Sequence, residues 1–401
     1  MGRTLSVIIR QPAATGPGTA LDCALPVRVG PVCLRAVAAL CAGVVAFPLS
    51  GQEPTQPGQV DIEGRKTRIS AYPYVFYTPE TEFALGAGGI VTFYTSSRDS
   101  ILRPSKVTAS GYYSTRRQYK LSLVPVVYFA QNRWLATAPI DFGQYVDKFW
   151  GVGNTTGEIE TEDYKTETFQ AKFEVQAPPP LHFVTRVGLI YDLQHVTVTD
   201  KLENPFLRDT ALVGTDGGTS SGLGLGWTLD SRDHTFFPNR GHLQQAKVVL
   251  SFPEIGSDFG FTTIEADLRF YWQLGDPDRV LAAQAYGSFV TGSPPFYRLP
   301  ALGGQNRMRG YFYGRYRDES LVTAQIEYRM YVWRRLGIVA FAGVGEVFGS
   351  PESDAVFREF KQTIGFGLRY KFNVAEKVNL RADFGFGRHT SGVYFGLEEA
   401  F

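Results

Sequence analysis

Five histidines, His182, His195, His234, His242 and His389, are the first candidates for acid–base or metal chemistry. A hydrolase needs a nucleophile, a base and an orienting group within hydrogen-bond reach. None of the five stands in a Ser-His-Asp or Ser-His-Asn pattern, and the chain has no Gly-x-Ser-x-Gly elbow. No His/Asp/Glu set has the spacing of metal ligands. The three cysteines, Cys23, Cys33 and Cys41, all fall in the first 41 residues, so a mature chain starting near residue 52 would hold neither a disulfide nor a thiolate site. The reading is therefore no enzyme, no cofactor and no metal. The remaining chemistry is electrostatic, carried by acids and bases that recur at every second position, as in Glu265, Asp267 and Arg269.

That spacing identifies the elements. From Thr263 to Trp272 the odd positions Thr263, Glu265, Asp267 and Arg269 are polar, while Ile264, Ala266, Leu268, Phe270 and Trp272 are apolar. The same period of two sets Thr323, Gln325, Glu327 and Arg329 against Val322, Ala324, Ile326 and Tyr328, and Asn379, Arg381 and Asp383 against Leu380, Ala382 and Phe384. Soluble strands average five or six residues, whereas these run to about ten, the length that crosses a bilayer at a tilt. Charges on one face are expensive against lipid but acceptable around a wet lumen where both signs pair. Aromatic residues at strand ends, Trp272, Trp333, Tyr370 with Phe372, and Phe401, suit girdles at the two membrane interfaces.

Turn signals predict sixteen strands, near 70–77, 82–96, 105–115, 119–129, 132–144, 162–176, 181–199, 219–229, 243–252, 259–274, 278–292, 319–333, 335–347, 359–373, 376–387 and 391–401. The fold class is all-β, a transmembrane antiparallel barrel, and an even count returns both termini to one side. Connections after even strands are short, apart from 97–104 and 230–242, and are placed in the periplasm. The long segments 145–161, 200–218 and 293–318 are placed at the cell surface. Pro73 interrupts the first strand, as it does at an edge or bulge.

Composition agrees with this class and excludes others. Gly numbers 43 and aromatics make up 14%, a profile of strands and turns. Lys and Arg number 40 against 39 Asp and Glu, which leaves no charge for nucleic-acid binding. Arg28 and Arg35 precede an apolar stretch from Ala36 to Leu49 and the small pair Ser50-Gly51, the form of an export leader. The expected organisation is a targeting segment over 1–51, a linker over 52–66 and a barrel over 67–401. The barrel would reside in the outer membrane of a Gram-negative cell.

Three motifs carry a family resemblance. The connection before strand 319–333 holds Leu302-Gly303-Gly304, Arg309-Gly310-Tyr311 and Arg315-Tyr316-Arg317-Asp318. A second segment is Asp230-Ser231-Arg232-Asp233 with Pro238 and Gly241, and the third is the terminal pattern through Asp383, Gly385, Gly387 and Gly396 to Phe401. In these the chain resembles the BamA/TamA, or bacterial surface antigen, family. The resemblance implies that the Arg309 loop folds back into the barrel, that Asp230 to Gly241 form a periplasmic turn, and that Gly396 and Phe401 belong to an assembly signal. An Arg enclosed in a polar lumen needs carboxylate or carbonyl acceptors, which its planar fork engages bidentately. The family's usual partner, the Asp of Phe-x-Asp-x-Gly, is replaced here by Gly343 in Phe341-Ala342-Gly343-Val344-Gly345, so Glu327, Glu346 and Asp383 are the candidate partners. Tyr77-Thr78-Pro79-Glu80-Thr81 resembles barrel-only members that lack periplasmic polypeptide-binding (POTRA) repeats. The implied function is assistance in inserting or translocating protein or lipid, and the alternative is a passive pore plugged by the loop. Implied partners are the lipid bilayer and a periplasmic protein or unfolded outer-membrane protein.

Overall fold

Alternation of period two becomes long antiparallel strands because each strand buries its polar face around a lumen and presents its apolar face outward. The computed structural model describes residues 67–96, 102–159, 163–178, 185–208, 212–234, 237–276, 279–349, 359–373, 378–397 and 399–401. The leader and linker expected over 1–66 lie outside the described residues.

The first half of the wall comprises β1 (Arg68–Thr78), β2 (Glu82–Phe93), β3 (Ser105–Ser114), β4 (Tyr119–Phe129), β5 (Trp134–Thr137), β6 (Ile140–Lys148), β7 (Asp163–Ala177), β8 (Thr185–Asp200) and β9 (Gly217–Asp230). The second comprises β10 (Gly241–Ser251), β11 (Phe261–Gln273), β12 (Arg279–Gly292), β15 (Ser320–Trp333), β16 (Leu336–Phe348), β17 (Lys361–Asn373), β18 (Val378–Gly387) and β19 (Thr390–Leu397). Between β12 and β15 the two-residue strands β13 (Ala301–Leu302) and β14 (Tyr316–Arg317) pair only with each other. Each wall strand pairs antiparallel with the strands beside it, β12 directly with β15, and β1 meets β19 to close the barrel.

β5 and β6 share both neighbours, β4 and β7, and are halves of one strand broken at Pro139. Proline cannot donate to the ladder. The wall therefore has the expected sixteen strands.

The two faces divide as the alternation requires. Along β15, Gln325, Glu327 and Arg329 are buried inside while Ala324 and Ile326 are exposed outside. Leu189, Leu225, Ile364 and Leu368 continue the outer apolar surface. Trp134, Trp272, Trp333 and Tyr370 are all exposed at strand ends on the short-turn side, forming one aromatic belt. At the opposite end Phe149, Tyr164, Leu207, Phe261, Val290, Phe296 and Leu299 pack into an apolar cap built largely by the long loops.

One expectation is overturned at the end of the chain. β19 stops at Leu397 rather than running to 401, and Phe401 belongs to neither a strand nor the outer belt. Phe401 and Ala400 pack inside against Tyr271 and Ala282, and a main-chain oxygen of Phe401, the last residue, accepts a hydrogen bond of 2.9 Å from Arg329 Nη2. Glu399 explains the turn inward: its carboxylate reaches Arg369 Nε at 2.7 Å and Asn379 Nδ2 at 2.8 Å. A carboxylate finds no partner in lipid, so the chain carries it to the arginines.

Candidate functional site: an arginine loop anchored in the lumen

The segment from Ser293 to Glu319 leaves β12 at the long-loop end and descends into the barrel. The β13–β14 pair fastens its base, and the Gly304 N–H donates to the Tyr311 carbonyl at 3.0 Å to close the tip. Gly310 has φ of 112°, a conformation that costs glycine little. Its backbone lies against β18, where a Cβ on Gly310 would stand 2.8 Å from the Phe386 nitrogen. Reciprocally, a Cβ on Gly385 would stand 2.5 Å from the carbonyl carbon of Arg309. These two glycines let two backbones touch.

The contact delivers Arg309, which is 0% exposed, to two carboxylates that are also fully buried. Nη1 donates to Asp383 Oδ2 on β18 at 2.6 Å, and Nη2 donates to Glu327 Oε2 on β15. The guanidinium carbon lies 3.5 Å from the centroid of the Phe341 ring on β16. Thr363 on β17 donates its hydroxyl to the Arg309 carbonyl. Tyr394 on β19 accepts from the Gly310 N–H at 3.0 Å, and Thr390 donates to the Gly310 carbonyl at 3.0 Å. Five consecutive wall strands therefore grip two adjacent loop residues.

The acids are shared further. Glu327 accepts from Arg329 Nε at 2.7 Å, and Asp383 accepts from Arg369 Nη1 at 2.5 Å. Buried charges of this kind are tolerable only when paired and hydrogen-bonded, since desolvation costs several kcal/mol per ion. The arrangement has no nucleophile with an adjacent base. It does have the features of a mechanical anchor that holds one loop in one register.

A family model for the Omp85 superfamily domain matches residues 103–401. The chain belongs to the Omp85 superfamily. Among solved structures it is similar to BamA from Haemophilus ducreyi lacking POTRA domains 1–3, with a TM-score of 0.59 and 15% identity over 83% of this chain and 70% of that one. CdiB from Acinetobacter baumannii aligns with a TM-score of 0.53 and 12% identity, covering 83% of this chain and 59% of that one. CdiB from Escherichia coli gives 0.51 and 11%, covering 84% and 68%. No curated protein matches the sequence. The protein is thus an outer-membrane β-barrel of the Omp85 type.

Of the three candidate partners for Arg309, the Omp85 barrel brings Glu327 and Asp383 to it and leaves Glu346 elsewhere. Glu346 Oε1 accepts from the Glu359 N–H at 3.0 Å and from Asn154 Nδ2 at 3.4 Å, joining two surface loops. Gly343 stands where the family pattern has its acid. Here the acids come instead from β15 and β18, on either side of β16 and β17. Phe341 and Thr363 escaped sequence reasoning, because neither a ring nor a hydroxyl at an alternating position differs from ordinary strand residues.

The described residues of the Asp230–Gly241 motif, between β9 and β10, are tied to one another. Arg232 grips Asp230 bidentately, Nε to Oδ1 at 2.9 Å and Nη2 to Oδ2 at 3.0 Å. Asp233 Oδ1 accepts the N–H groups of Asn239 and Arg240 at 2.9 and 3.2 Å, with Pro238 buried between. Gly241 has φ of 95° where the chain re-enters β10, and a Cβ there would strike the Ser231 carbonyl at 2.3 Å.

A second tie holds the loop from the surface turn between β1 and β2. Glu80 Oε1 accepts the Tyr313 N–H at 2.8 Å. Burial pushes the Glu80 carboxyl above its usual range, and Asp147 adds to that rise, while hydrogen bonds oppose it. An acid whose folded pKa is raised stabilises the fold when protonated and loses that contribution as pH climbs through the raised value. Glu80→Gln, which keeps the acceptor and removes the charge, should therefore raise the apparent Tm at pH 7. Thermal scans should converge for the two proteins below about pH 4, where the carboxyl is protonated in both states. A constant difference across that range would contradict the assignment.

Proposed function

We propose that this Omp85 barrel assists the insertion or translocation of protein or lipid at the outer membrane by opening between β1 and β19. The observation that supports this reading is the closure itself. Among the described residues β1 pairs with β2 at eleven positions, and β19 pairs with β18 at eight, but β1 and β19 share the single pair Tyr77↔Phe395. Unpaired backbone groups facing lipid cost several kcal/mol each. An open strand edge is also a template for an incoming strand, which adds by the same main-chain hydrogen bonds that build a sheet. Pro73 in β1 and the end of β19 at Leu397 limit how far the ladder can extend.

A passive pore is the weaker reading. The loop packs in the lumen through Leu302, Met308 and Tyr311, and the cluster of Phe149 and Phe296 packs at the long-loop end, which speaks against a free passage.

Cross-linking tests the proposal. Directly opposed residues of an antiparallel pair have Cα atoms about 4.5–5.5 Å apart, within disulfide range. Tyr77→Cys with Phe395→Cys, reconstituted in liposomes, should accelerate folding of an added unfolded outer-membrane barrel when reduced and fail to do so when oxidised. Equal acceleration in both states would sink opening at this seam.

A further inference from the structure

Beneath the loop tip lies a cavity of about 640 Å³ in the short-turn half of the barrel. Tyr72, Tyr74 and Phe76 of β1 with Tyr112 of β3 line it with aromatic rings; Arg307 and Arg381 line it too, and among the described lining residues Glu399 is the one acidic side chain, close to the chain's last residue, Phe401. The ion pairs nearby can be followed one by one. Lys120, Arg232 and Arg269 hold Asp141, Asp230 and Asp267 respectively. Arg309, Arg329 and Arg369 share Glu327, Asp383 and Glu399. Arg329 also reaches a main-chain oxygen of Phe401, the last residue, at 2.9 Å, and of the cations on the lining Arg381 and Arg307 are the least well paired.

Arg381 is only 3% exposed, yet its nearest acid is Asp383 at 3.8 Å, already engaged by two other arginines. Its Nε and Nη1 have no hydrogen-bond acceptor among the described residues, and Nη2 reaches only the neutral side chains of Gln305 at 3.1 Å and Asn306 at 3.4 Å. Arg307, next along the same loop tip, has no carboxylate within ion-pair distance among the described residues and lies over the Tyr286 ring at 3.7 Å. Gln305 and Asn306 turn their carbonyl oxygens to Arg381, which leaves their amide N–H groups for another acceptor.

The geometry points to a binding site for an organic phosphate ester in this vestibule. Two weakly paired guanidinium forks with flanking amide donors match the charge and the several acceptor oxygens of a phosphate. The space is far larger than the anion alone, and its aromatic lining suits the organic body of the ester. Two sources share this chemistry, a soluble phosphate ester and the headgroup of an anionic phospholipid. The site does not depend on the barrel inserting anything, so it stands or falls separately from the seam.

Calorimetric titration of the whole barrel in phosphatidylcholine nanodiscs tests the inference, with inorganic phosphate, glycerol 3-phosphate, short-chain phosphatidylglycerol and short-chain phosphatidylcholine as probes. Saturable binding of glycerol 3-phosphate or phosphatidylglycerol is expected, with phosphatidylcholine at least about tenfold weaker. Tighter binding of phosphatidylglycerol than of glycerol 3-phosphate assigns the site to a lipid headgroup, and equal binding assigns it to a soluble ester. Arg307→Gln, which leaves the buried ion network intact, should weaken binding by about tenfold or more, the loss of one charged hydrogen-bonding partner. Arg381→Gln should do the same, checked for folding by its heat-dependent gel mobility. No saturable binding of either ester, binding that ignores Arg307→Gln, or phosphatidylcholine binding as well as phosphatidylglycerol would each overturn the inference.

Discussion

Arg309→Ala is expected to lower the unfolding free energy of the barrel in detergent micelles by about 3–5 kcal/mol, the cost of leaving buried charges without their partner. The size follows from what remains. Glu327 and Asp383 are 0% exposed, and both would lose their shortest bond to the loop. Arg329 and Arg369 would still partner them, which keeps the loss below that of two isolated carboxylates. The loop itself loses its central contact and should become open to protease between Gly303 and Arg317. Arg309→Lys should recover only part of the stability, because an ammonium is a point charge and cannot fork to acids on two separated strands. Urea unfolding followed by gel mobility reads both variants. A fully stable alanine variant with a protected loop would contradict the anchoring role.

Gly385→Val should have a comparable effect by a different route. The added Cβ would meet the Arg309 carbonyl carbon and oxygen at 2.5 and 2.6 Å and the Gly310 nitrogen at 2.7 Å, all backbone atoms that have no rotamer to change. Overpacking alone costs about 1–3 kcal/mol. Displacing the loop adds the unpairing of Glu327 and Asp383. Since both substitutions act by releasing the same loop, Gly385→Val combined with Arg309→Ala should destabilise less than the two singly added, the signature of a shared interaction. Simple additivity would mean that Gly385 and Arg309 act independently.

The wall of this barrel was legible in the sequence because the side-chain period of a strand is two and one face must be polar. Glu327 opposite Ile326, and Asp383 opposite Ala382, already state which side meets water. The tight turns at Ala130–Asn132 and Arg334 follow from local chain chemistry, whereas the break at Pro139 falls inside the stretch 132–144 that reads as one strand. The anchor was less legible, since joining Arg309 to Glu327 and Asp383 depends on the lateral register of β15 and β18, which lie three places apart in the wall. Glu346 falls on the other parity of β16, in line with the exposed Ala342 and Val344 rather than with the inward Phe341 and Gly343, and near the end of the strand it is taken by Glu359 and Asn154. The end of the chain was misread because a terminal aromatic after an alternating strand fits a membrane belt. The acid at Glu399 was the signal against it, and its significance emerges only once Arg369 and Asn379 are seen beside it.

On the proposed mechanism, the β1–β19 junction is the weak closure of an otherwise continuous Omp85 wall. Residue-resolved amide exchange of the barrel in lipid nanodiscs measures it directly. In an antiparallel strand only some N–H groups point to each neighbour. The N–H groups of β1 and β19 that face the junction should exchange orders of magnitude faster than those of β8 and β9, which pair along their full length. Equal protection at the junction and at β8–β9 would mean that the barrel is zipped all round, and that any activity it has does not pass through this seam.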